Sequence, residues 1–232
     1  MIDPGHGGDE PGAVYGGIKE KDINLDIARR LIGYLKAKGV TVVSTRQRDV
    51  TVSLSQRVRV ANKHHPDLFL SIHANAEVSR KQHGAMSLHP AEGAPGGKSD
   101  LMGRAREAVE KRTFEVAKLG AGGYVGKPAL FAVAGASFGS ERVQSIYAAR
   151  DIQNALVPVT GCAKTRNGDG IVEDYRGLRV LCVVQAPAVL AEVDFLSNAT
   201  ARRKLSTPAY RDAIAKALAR GVVSFRDNGG RK

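Results

Sequence analysis

Short apolar segments alternate with amphipathic helical patterns over the first 90 residues, and this alternation constrains the fold more than any other feature. The segments VTVVST, DLFLSIHANA and GAMSLH are typical of strands, and LSQRVRVANKHH is typical of a helix. A further helix is predicted in IKEKDINLDIARRLIGYLKAKGV, with Asp22 as its N-cap and Gly39 at its end. Its apolar residues recur at helical spacing: Ile23, Ile27, Leu31 and Leu35.

The same alternation predicts the fold class. Strands separated by helices usually form a parallel sheet, because the crossover helices cover both of its faces. A chain of 232 residues is long enough for one sizeable core. The sequence therefore predicts an α/β fold: a single domain with a mostly parallel twisted sheet and helices on both faces.

Residues 90–161 interrupt the pattern, as a divergent insertion of helices and loops within one domain spanning residues 1–232. Two helices are predicted there, in SDLMGRAREAVEKRTFEVAKL and in SERVQSIYAARDIQNALVPV, the second with Val143, Ile146, Tyr147 and Ile152 on one side. TRNGDGIVEDYRG is typical of a turn region, and LRVLCVV and PAVLAEVDFLSN of strands. A closing helix is expected to begin at Ser206 or Thr207, with Pro208 in its first turn.

The charge of the chain indicates a polyanionic partner without identifying it. Lys and Arg outnumber Asp and Glu by 35 to 23, which gives a formal net charge of +12. Nucleic acid, an anionic membrane and the anionic bacterial wall are all partners that this charge could attract. A basic surface that is only solvated is the alternative interpretation. No nucleic-acid motif is present, and no apolar segment approaches the ~20 residues of a membrane-spanning helix. The run around Cys182 predicts a buried thiol.

Three polar residues are predicted to lie at one edge of the sheet. His6 follows a short first strand, His73 ends the strand DLFLSIH, and Glu20 precedes the first predicted helix. The carboxyl ends of parallel strands share one edge, where α/β proteins build their sites. Two imidazoles and one carboxylate suit zinc, with a fourth position left for water. Taken singly, each residue has an ordinary structural interpretation, such as a hydrogen-bonded loop histidine or a favourable charge at a helix N-terminus.

A fourth acidic residue lies inside an apolar strand. Glu192 occurs in PAVLAEVDF, where a carboxylate without a partner would be costly to bury. One interpretation is a salt bridge to an arginine. The other is a general base for a water molecule at the metal, with a pKa tuned by partial burial.

Six segments resemble the zinc-dependent N-acetylmuramoyl-L-alanine amidases in order and spacing. They are IDPGHGG, EKDINLDIARRL, TR, LSQRVRVAN, DLFLSIHANA and PAVLAEVDFLSN, and the similarity covers residues 1–89 and 173–226. The relevant branch contains the catalytic domains of cell-division amidases and of related phage lysins. The resemblance implies that His6, Glu20 and His73 are zinc ligands and that Glu192 is the catalytic glutamate. Asn75, two residues after a ligand, is a candidate for orienting the substrate.

The resemblance also implies a function and a cellular setting. The expected reaction is hydrolysis of the amide between N-acetylmuramic acid and L-alanine in peptidoglycan, with Zn²⁺ as cofactor. A monomer in the bacterial cell envelope is expected, in the periplasm or secreted after loss of a leader that is not present in this chain. A phage-encoded cytoplasmic lysin is the alternative location. A non-catalytic zinc-containing peptidoglycan-binding module and a basic nucleic-acid-binding protein are the alternative functions.

Two departures from the family pattern raise further hypotheses. Asp194 stands where the family usually has Gly, which puts an additional carboxylate either near the site or on the opposite face of the strand. In some division amidases an inserted helix blocks the zinc until an activator protein of the division machinery binds. Either predicted helix of the insertion is a candidate for that role, and an ordinary helix packed on the sheet is the alternative. The carboxylates that could cap the metal are Glu107, Glu110, Glu115 and Glu141.

Overall fold

A five-stranded, mostly parallel sheet forms the centre of the protein. The computed structural model describes residues 1–90, 137–165, 167–174 and 178–228. The sheet order is β1-β4-β7-β5-β6, and only the β5–β7 pair is antiparallel. A small antiparallel hairpin, β2–β3, lies outside this sheet. The strands are β1 (Ile2–Pro4), β2 (Val14–Tyr15), β3 (Ile18–Lys19), β4 (Phe69–Asn75), β5 (Met86–Pro90), β6 (Ile171–Asp174) and β7 (Ala188–Phe195).

Helices cover both faces of the sheet, as the alternating pattern predicts. The described helices are α1 (Glu20–Ala37), α2 (Leu54–His64), α3 (Ser137–Thr160), α4 (Arg179–Val183), α5 (Ala199–Leu205) and α6 (Pro208–Asp227). The larger core cluster joins α1, α3 and α6 to one face, and a smaller cluster joins α2 and α4 to the other. Among the described residues, no helix is both long and apolar enough to span a membrane.

Side-chain hydrogen bonds cap the first turns of α2 and α6. α2 begins with a capping box, in which Ser53 and Gln56 satisfy each other's backbone amides. α6 begins after Thr207, whose hydroxyl accepts from the amide of Tyr210, with Pro208 in the first turn as expected. The prediction of Asp22 as the N-cap of α1 is wrong, because the helix already begins at Glu20. The amide of Glu20 donates to the carbonyl of Ala13, so the preceding loop replaces a side-chain cap.

Three short segments differ from the sequence-based expectation. VTVVST forms only an isolated parallel bridge between Ser44 and Ile2 at the edge of the sheet. LRVLCVV forms the helix α4 instead of a strand, since a short apolar run has the same pattern in a buried helix. IVED, expected within a turn region, is β6 and pairs with β5. Cys182 is a buried free thiol, as predicted.

The second helix predicted in the insertion is α3, but its buried side differs from the expected one. Ile152 is fully buried, whereas Tyr147 is 39% exposed. The buried side of α3 contains Ala148, Ala149, Ile152 and Leu156. The helix packs closely against α6, because a Cβ on Gly221 would lie 2.8 Å from the Cα of Ile152. The domain boundaries expected from the sequence, with an insertion at about 90–161, stay a prediction.

Candidate metal centre

The loop after β1, the start of α1 and the end of β4 bring His6, Glu20 and His73 together. The Oε1 atom of Glu20 lies 2.8 Å from Nδ1 of His73, and Oε2 lies 3.3 Å from Nε2 of His6. One potential ligand atom from each residue lies within 4.8 Å of the others. The imidazoles meet edge to face, with centroids 5.0 Å apart. The three residues that the sequence places at one edge thus share one site.

The carboxylate of Glu20 is fixed by the backbone as well as by the histidines. Oε2 accepts from the amide of Ala13 at 2.9 Å, and Oε1 accepts from the amide of Ala74 at 3.2 Å. Burial by itself would raise the pKa of Glu20, but hydrogen bonds with both imidazoles hold that pKa far below its ordinary value. Glu20 therefore stays ionised and points into the site.

His73 is influenced by two carboxylates. Burial would lower the pKa of its imidazole, but the hydrogen bond with Glu20 and the charge of Glu192 raise that pKa above its ordinary value. A negative environment of this kind suits any cation placed between these groups, whether a proton or a metal ion.

Glycines leave the space that the site needs. A Cβ on Gly5 would overlap the imidazole of His73, and one on Gly12 would meet Glu20 and the ring of His6. His6 itself has φ 58°, in the left-handed region that a non-glycine residue rarely adopts. Such a conformation persists only where the surrounding structure holds it.

Two buried arginines provide that support. Arg57 donates to the carbonyl of Pro4 at 2.8 Å and to that of His6 at 2.7 Å. Arg46 donates to the carbonyls of Pro4 and Gly5 at 3.0 and 2.9 Å. Asp3 pairs with Arg57, and both side chains are almost completely buried. These contacts fix the backbone path that leads to His6.

The two arginines and Asp3 were not singled out from the sequence, although the signal was present. Arg46 belongs to TR, Arg57 to LSQRVRVAN and Asp3 to IDPGHGG, and the resemblance rests on all three segments. An isolated arginine in an amphipathic helix looks like a solvated charge, and only the fold shows that Arg57 reaches the loop after β1.

Glu192 lies on β7 directly beside the cluster. β4 and β7 are parallel, and His73 is the register partner of Glu192. One extra residue on β7 then shifts the register before Asn75 pairs with Phe195, which marks a β-bulge. The structure therefore brings the fourth acidic residue next to the three candidate ligands.

The bulge also explains where the additional carboxylate of Asp194 goes. Asp194 is 2% exposed, and its Oδ2 accepts from the hydroxyl of Tyr210 on α6 at 2.7 Å. Its Oδ1 accepts from the amide of Gly84 at 2.8 Å. Residues two apart on a regular strand share a face, but the extra residue breaks this alternation after Glu192. Asp194 therefore joins β7 to α6 and to the segment just before β5.

Asn75 is half-buried at the end of β4. Its side-chain oxygen accepts from the amide of Ala76 at 2.7 Å, and its carbonyl accepts from the amide of Leu196. These contacts stabilise the exit of the strand next to the site. A role of Asn75 in orienting substrate stays a prediction.

The hypothesis of a blocking helix has two different outcomes. The helix predicted at 99–119, with Glu107, Glu110 and Glu115, lies outside the described residues. α3 is a core helix, and its Glu141 lies beside Pro90 and Ala186, at the end of the sheet opposite to Glu192. α3 is therefore an ordinary helix packed on the sheet, and Glu141 cannot reach the cluster of candidate metal ligands from that end.

The donor set fits a small borderline-soft cation. Two imidazole nitrogens and one ionised carboxylate oxygen form a common set for a catalytic zinc ion with an open fourth position. The resemblance and the geometry therefore agree on a His/Glu group able to hold a metal.

Comparisons with known proteins indicate the family of the chain. Residues 1–224 match the N-acetylmuramoyl-L-alanine amidase family. AmiC of Escherichia coli O6:H1 is 31% identical over 233 residues, covering 99% of this chain and 53% of AmiC. AmiA of E. coli K12 is 32% identical over 229 residues, covering 97% of this chain and 75% of AmiA. The chain thus spans about half the length of one relative and three quarters of the other.

A solved structure supports the fold over the same range. The catalytic domain of CwlV, an N-acetylmuramoyl-L-alanine amidase from Bacillus (Paenibacillus) polymyxa var. colistinus, superposes with a TM-score of 0.69 at 26% identity. The match covers 97% of this chain and 96% of the CwlV domain. The similarity therefore extends across the whole described fold.

Proposed function

Because the chain belongs to the N-acetylmuramoyl-L-alanine amidase family, we propose that it hydrolyses the amide between N-acetylmuramic acid and L-alanine of peptidoglycan. The observation that carries this proposal is the position of Glu20 between two histidines, with Glu192 in register with one of them. His6, Glu20 and His73 are the proposed zinc ligands, and Glu192 is the proposed general base.

A zinc ion held by these residues supplies Lewis-acid chemistry, because it polarises a carbonyl oxygen and lowers the pKa of water. Both histidines offer a neutral nitrogen only when they are unprotonated, and the carboxylate of Glu20 must remain ionised. The amides of Ala13 and Ala74 and the side-chain amide of Asn24 donate hydrogen bonds to that carboxylate and orient it.

Glu192 is the group that moves the proton. Its carboxylate accepts a proton from water as the water oxygen attacks the carbonyl carbon of the scissile amide. The same carboxyl group then donates that proton to the amide nitrogen, which leaves as the free amine of L-alanine. This order of proton transfers needs Glu192 near both the water and the amide nitrogen. The position of Glu192 beside His73 supports that role.

The loop after β1 has a positioning role. Arg57 and Arg46 bind the carbonyls of Pro4, Gly5 and His6, so the imidazole of His6 is held before any cation arrives. A prepared site of this kind loses less conformational entropy on binding than a flexible loop would.

The test is digestion of purified peptidoglycan by the purified chain, with mass spectrometry of the soluble products. The proposal expects stem peptides with a free L-alanine amine, loss of this product after chelation, and recovery with added zinc. Products cut within the glycan or within the peptide would contradict it. His64→Ala, at an exposed histidine at the end of α2, is expected to keep the activity of the unmodified chain.

Binding assays on the same protein, with and without a chelator, separate the other functions. A non-catalytic zinc-containing peptidoglycan-binding module would bind the wall and zinc without releasing peptide. A nucleic-acid-binding protein would bind DNA in a salt-dependent manner that chelation leaves unchanged.

The setting that follows from this activity is the bacterial cell envelope, in the periplasm or outside the cell. A net charge of +12 supports contact with an anionic wall. An activator protein and a monomeric state are part of the same proposal. Wall digestion without added protein, and the mass of the chain in solution, test these two points.

A further inference from the structure

An open groove begins on the side of Glu192 that faces away from the candidate metal ligands. Met86 on β5 is the antiparallel register partner of Glu192 and forms the near end of the groove. Ile171 and Val172 of β6 continue it, and Lys164, Thr165 and Asn167 line its far wall. The groove has a volume of about 570 Å³, which is enough for a few amino-acid residues.

The order of the strands gives the bound substrate a direction. From one edge of the sheet to the other, the order is β1, β4, β7, β5 and β6. The candidate ligands are associated with β1 and β4, the proposed base lies on β7, and the groove lies over β5 and β6. The carbonyl of the scissile amide belongs at the ligands and its nitrogen belongs beside Glu192. The chain attached to that nitrogen then continues towards Met86.

The far wall carries a lysine, Lys164, whose backbone is fixed. The backbone of Lys164 is held by the side chain of Gln82, which donates to its carbonyl and accepts from its amide, each at 3.1 Å. The hydroxyl of Thr165 accepts from the amide of Gly170, which closes the loop. Within the described residues, no carboxylate lies within 4.0 Å of the Lys164 ammonium, and this side chain is exposed.

The composition of the groove favours a peptide over a polyphosphate. Met86 and Val172 form an apolar floor, and Thr165 and Asn167 add hydrogen-bonding groups. Glu173 also lines the groove, so charges of both signs are present. A peptide with free carboxylates, amide groups and apolar side chains has partners for all of these groups, whereas a phosphate polymer would leave Met86 and Val172 without apolar contacts.

We propose that this groove binds the stem peptide of the substrate and that Lys164 binds one of its carboxylates. The proposal rests on the proposed amidase function and extends it, because it assigns the peptide to the β5–β6 side and the sugar to the side of β1 and β4. Lys164 is then a specificity-determining residue that distinguishes long acidic stems from a single alanine.

The test compares two substrates in the zinc-loaded protein: N-acetylmuramoyl-L-alanine amide and an N-acetylmuramoyl tripeptide with free carboxylates. Lys164→Gln is expected to raise KM for the tripeptide about tenfold, since a hydrogen bond to a charged group is lost, with kcat within about twofold. KM for the short substrate is expected to stay unchanged. Lys63→Gln, an exposed lysine on α2, is the matched control and should affect neither substrate.

A second measurement does not depend on turnover. Calorimetry with the free stem tripeptide is expected to show binding to the unmodified chain and about tenfold weaker binding to Lys164→Gln. Equal effects of Lys164→Gln on both substrates, or no effect on the tripeptide in either measurement, would overturn the assignment of the groove. If the unmodified chain hydrolyses neither substrate, the proposed function fails, and calorimetry still tests the groove.

Discussion

His73 on β4 stands in parallel register with Glu192 on β7. The two residues are 119 positions apart in the sequence, yet adjacent strands hold them side by side. Since His73 also contacts Glu20, the proposed ligand set and the proposed base form one continuous group. Rigid neighbouring strands therefore set the distance between the proposed ligands and the proposed base.

Replacement of the proposed base should separate catalysis from metal binding. Glu192→Gln is expected to lower kcat about 10²- to 10⁴-fold, the usual contribution of a general base, while zinc content stays at the unmodified level. Muropeptide hydrolysis and metal analysis of the same preparation measure both quantities. Glu10→Gln, an exposed carboxylate on the loop after β1, is the control. Loss of zinc from Glu192→Gln would instead make Glu192 a ligand.

Replacement of a proposed ligand should remove zinc binding and catalysis together. His73→Ala is expected to lose zinc and activity, because Glu20 and His6 alone leave only two protein donors. Metal analysis after dialysis and hydrolysis assays with added zinc measure the effect. Full zinc retention by His73→Ala, with His64→Ala as the reference, would contradict the ligand assignment.

Zinc affinity should depend on the space beside His73 as well as on the ligands. Gly5→Ala is expected to weaken zinc affinity about 10- to 100-fold, because the new methyl group overlaps the imidazole and displaces it. Gly33→Ala is the matched control, since nothing lies within 4 Å of its added Cβ and α1 should gain up to about 1 kcal/mol of stability. Competition with a chromogenic chelator measures the affinities, and equal values for Gly5→Ala and the unmodified chain would exclude this steric role.

The buried pair of Asp3 and Arg57 should be essential for stability. Arg57→Leu is expected to lower the free energy of unfolding by about 3–5 kcal/mol, because Asp3 is left charged and buried without its partner. Guanidinium denaturation followed by circular dichroism measures the change. Arg59→Leu, an exposed arginine on the same helix, should change stability by less than about 0.5 kcal/mol. A similar loss in both variants would mean that the change weakens α2 itself and not the buried pair with Asp3.

The ion pairs between α1 and α6 should make stability depend on acid pH. Partial burial would raise the pKa of Asp26, but hydrogen bonds from Arg30 and Arg211 lower that pKa below its ordinary value. A carboxyl group with a lowered pKa stabilises the fold above its unfolded pKa of about 4 and loses this contribution as the pH falls further.

Asp26→Asn is therefore expected to lose about 1 kcal/mol at pH 7, the usual upper value for partly exposed pairs, and progressively less below about pH 4. Urea denaturation at pH 7 and at pH 3 measures the difference, with Glu10→Gln as the control. A loss of equal size at both pH values would show that packing, and not charge, is responsible.

The sequence by itself determined the fold class and the identity of the polar residues at the edge of the sheet. Helical and strand periodicities differ, so α1, α2, β4 and α6 were recognisable from spacing, and α6 also from the residues of its first turn. His6, Glu20 and His73 follow from the rule that the ends of parallel strands meet. Short elements were not recognisable, because four or five residues, as in α4 and β6, carry too little periodicity to distinguish a helix, a strand and a turn.

Only the tertiary structure decided which distant groups touch. The register of β4 against β7, the bulge that turns Asp194 towards Tyr210, and the reach of Arg57 to the carbonyl of His6 all depend on contacts between segments far apart in the chain. Local sequence sets the conformations available to each segment. Packing of the whole core then selects one register for each strand, because a slip of one residue would move every buried side chain of a strand to the opposite face.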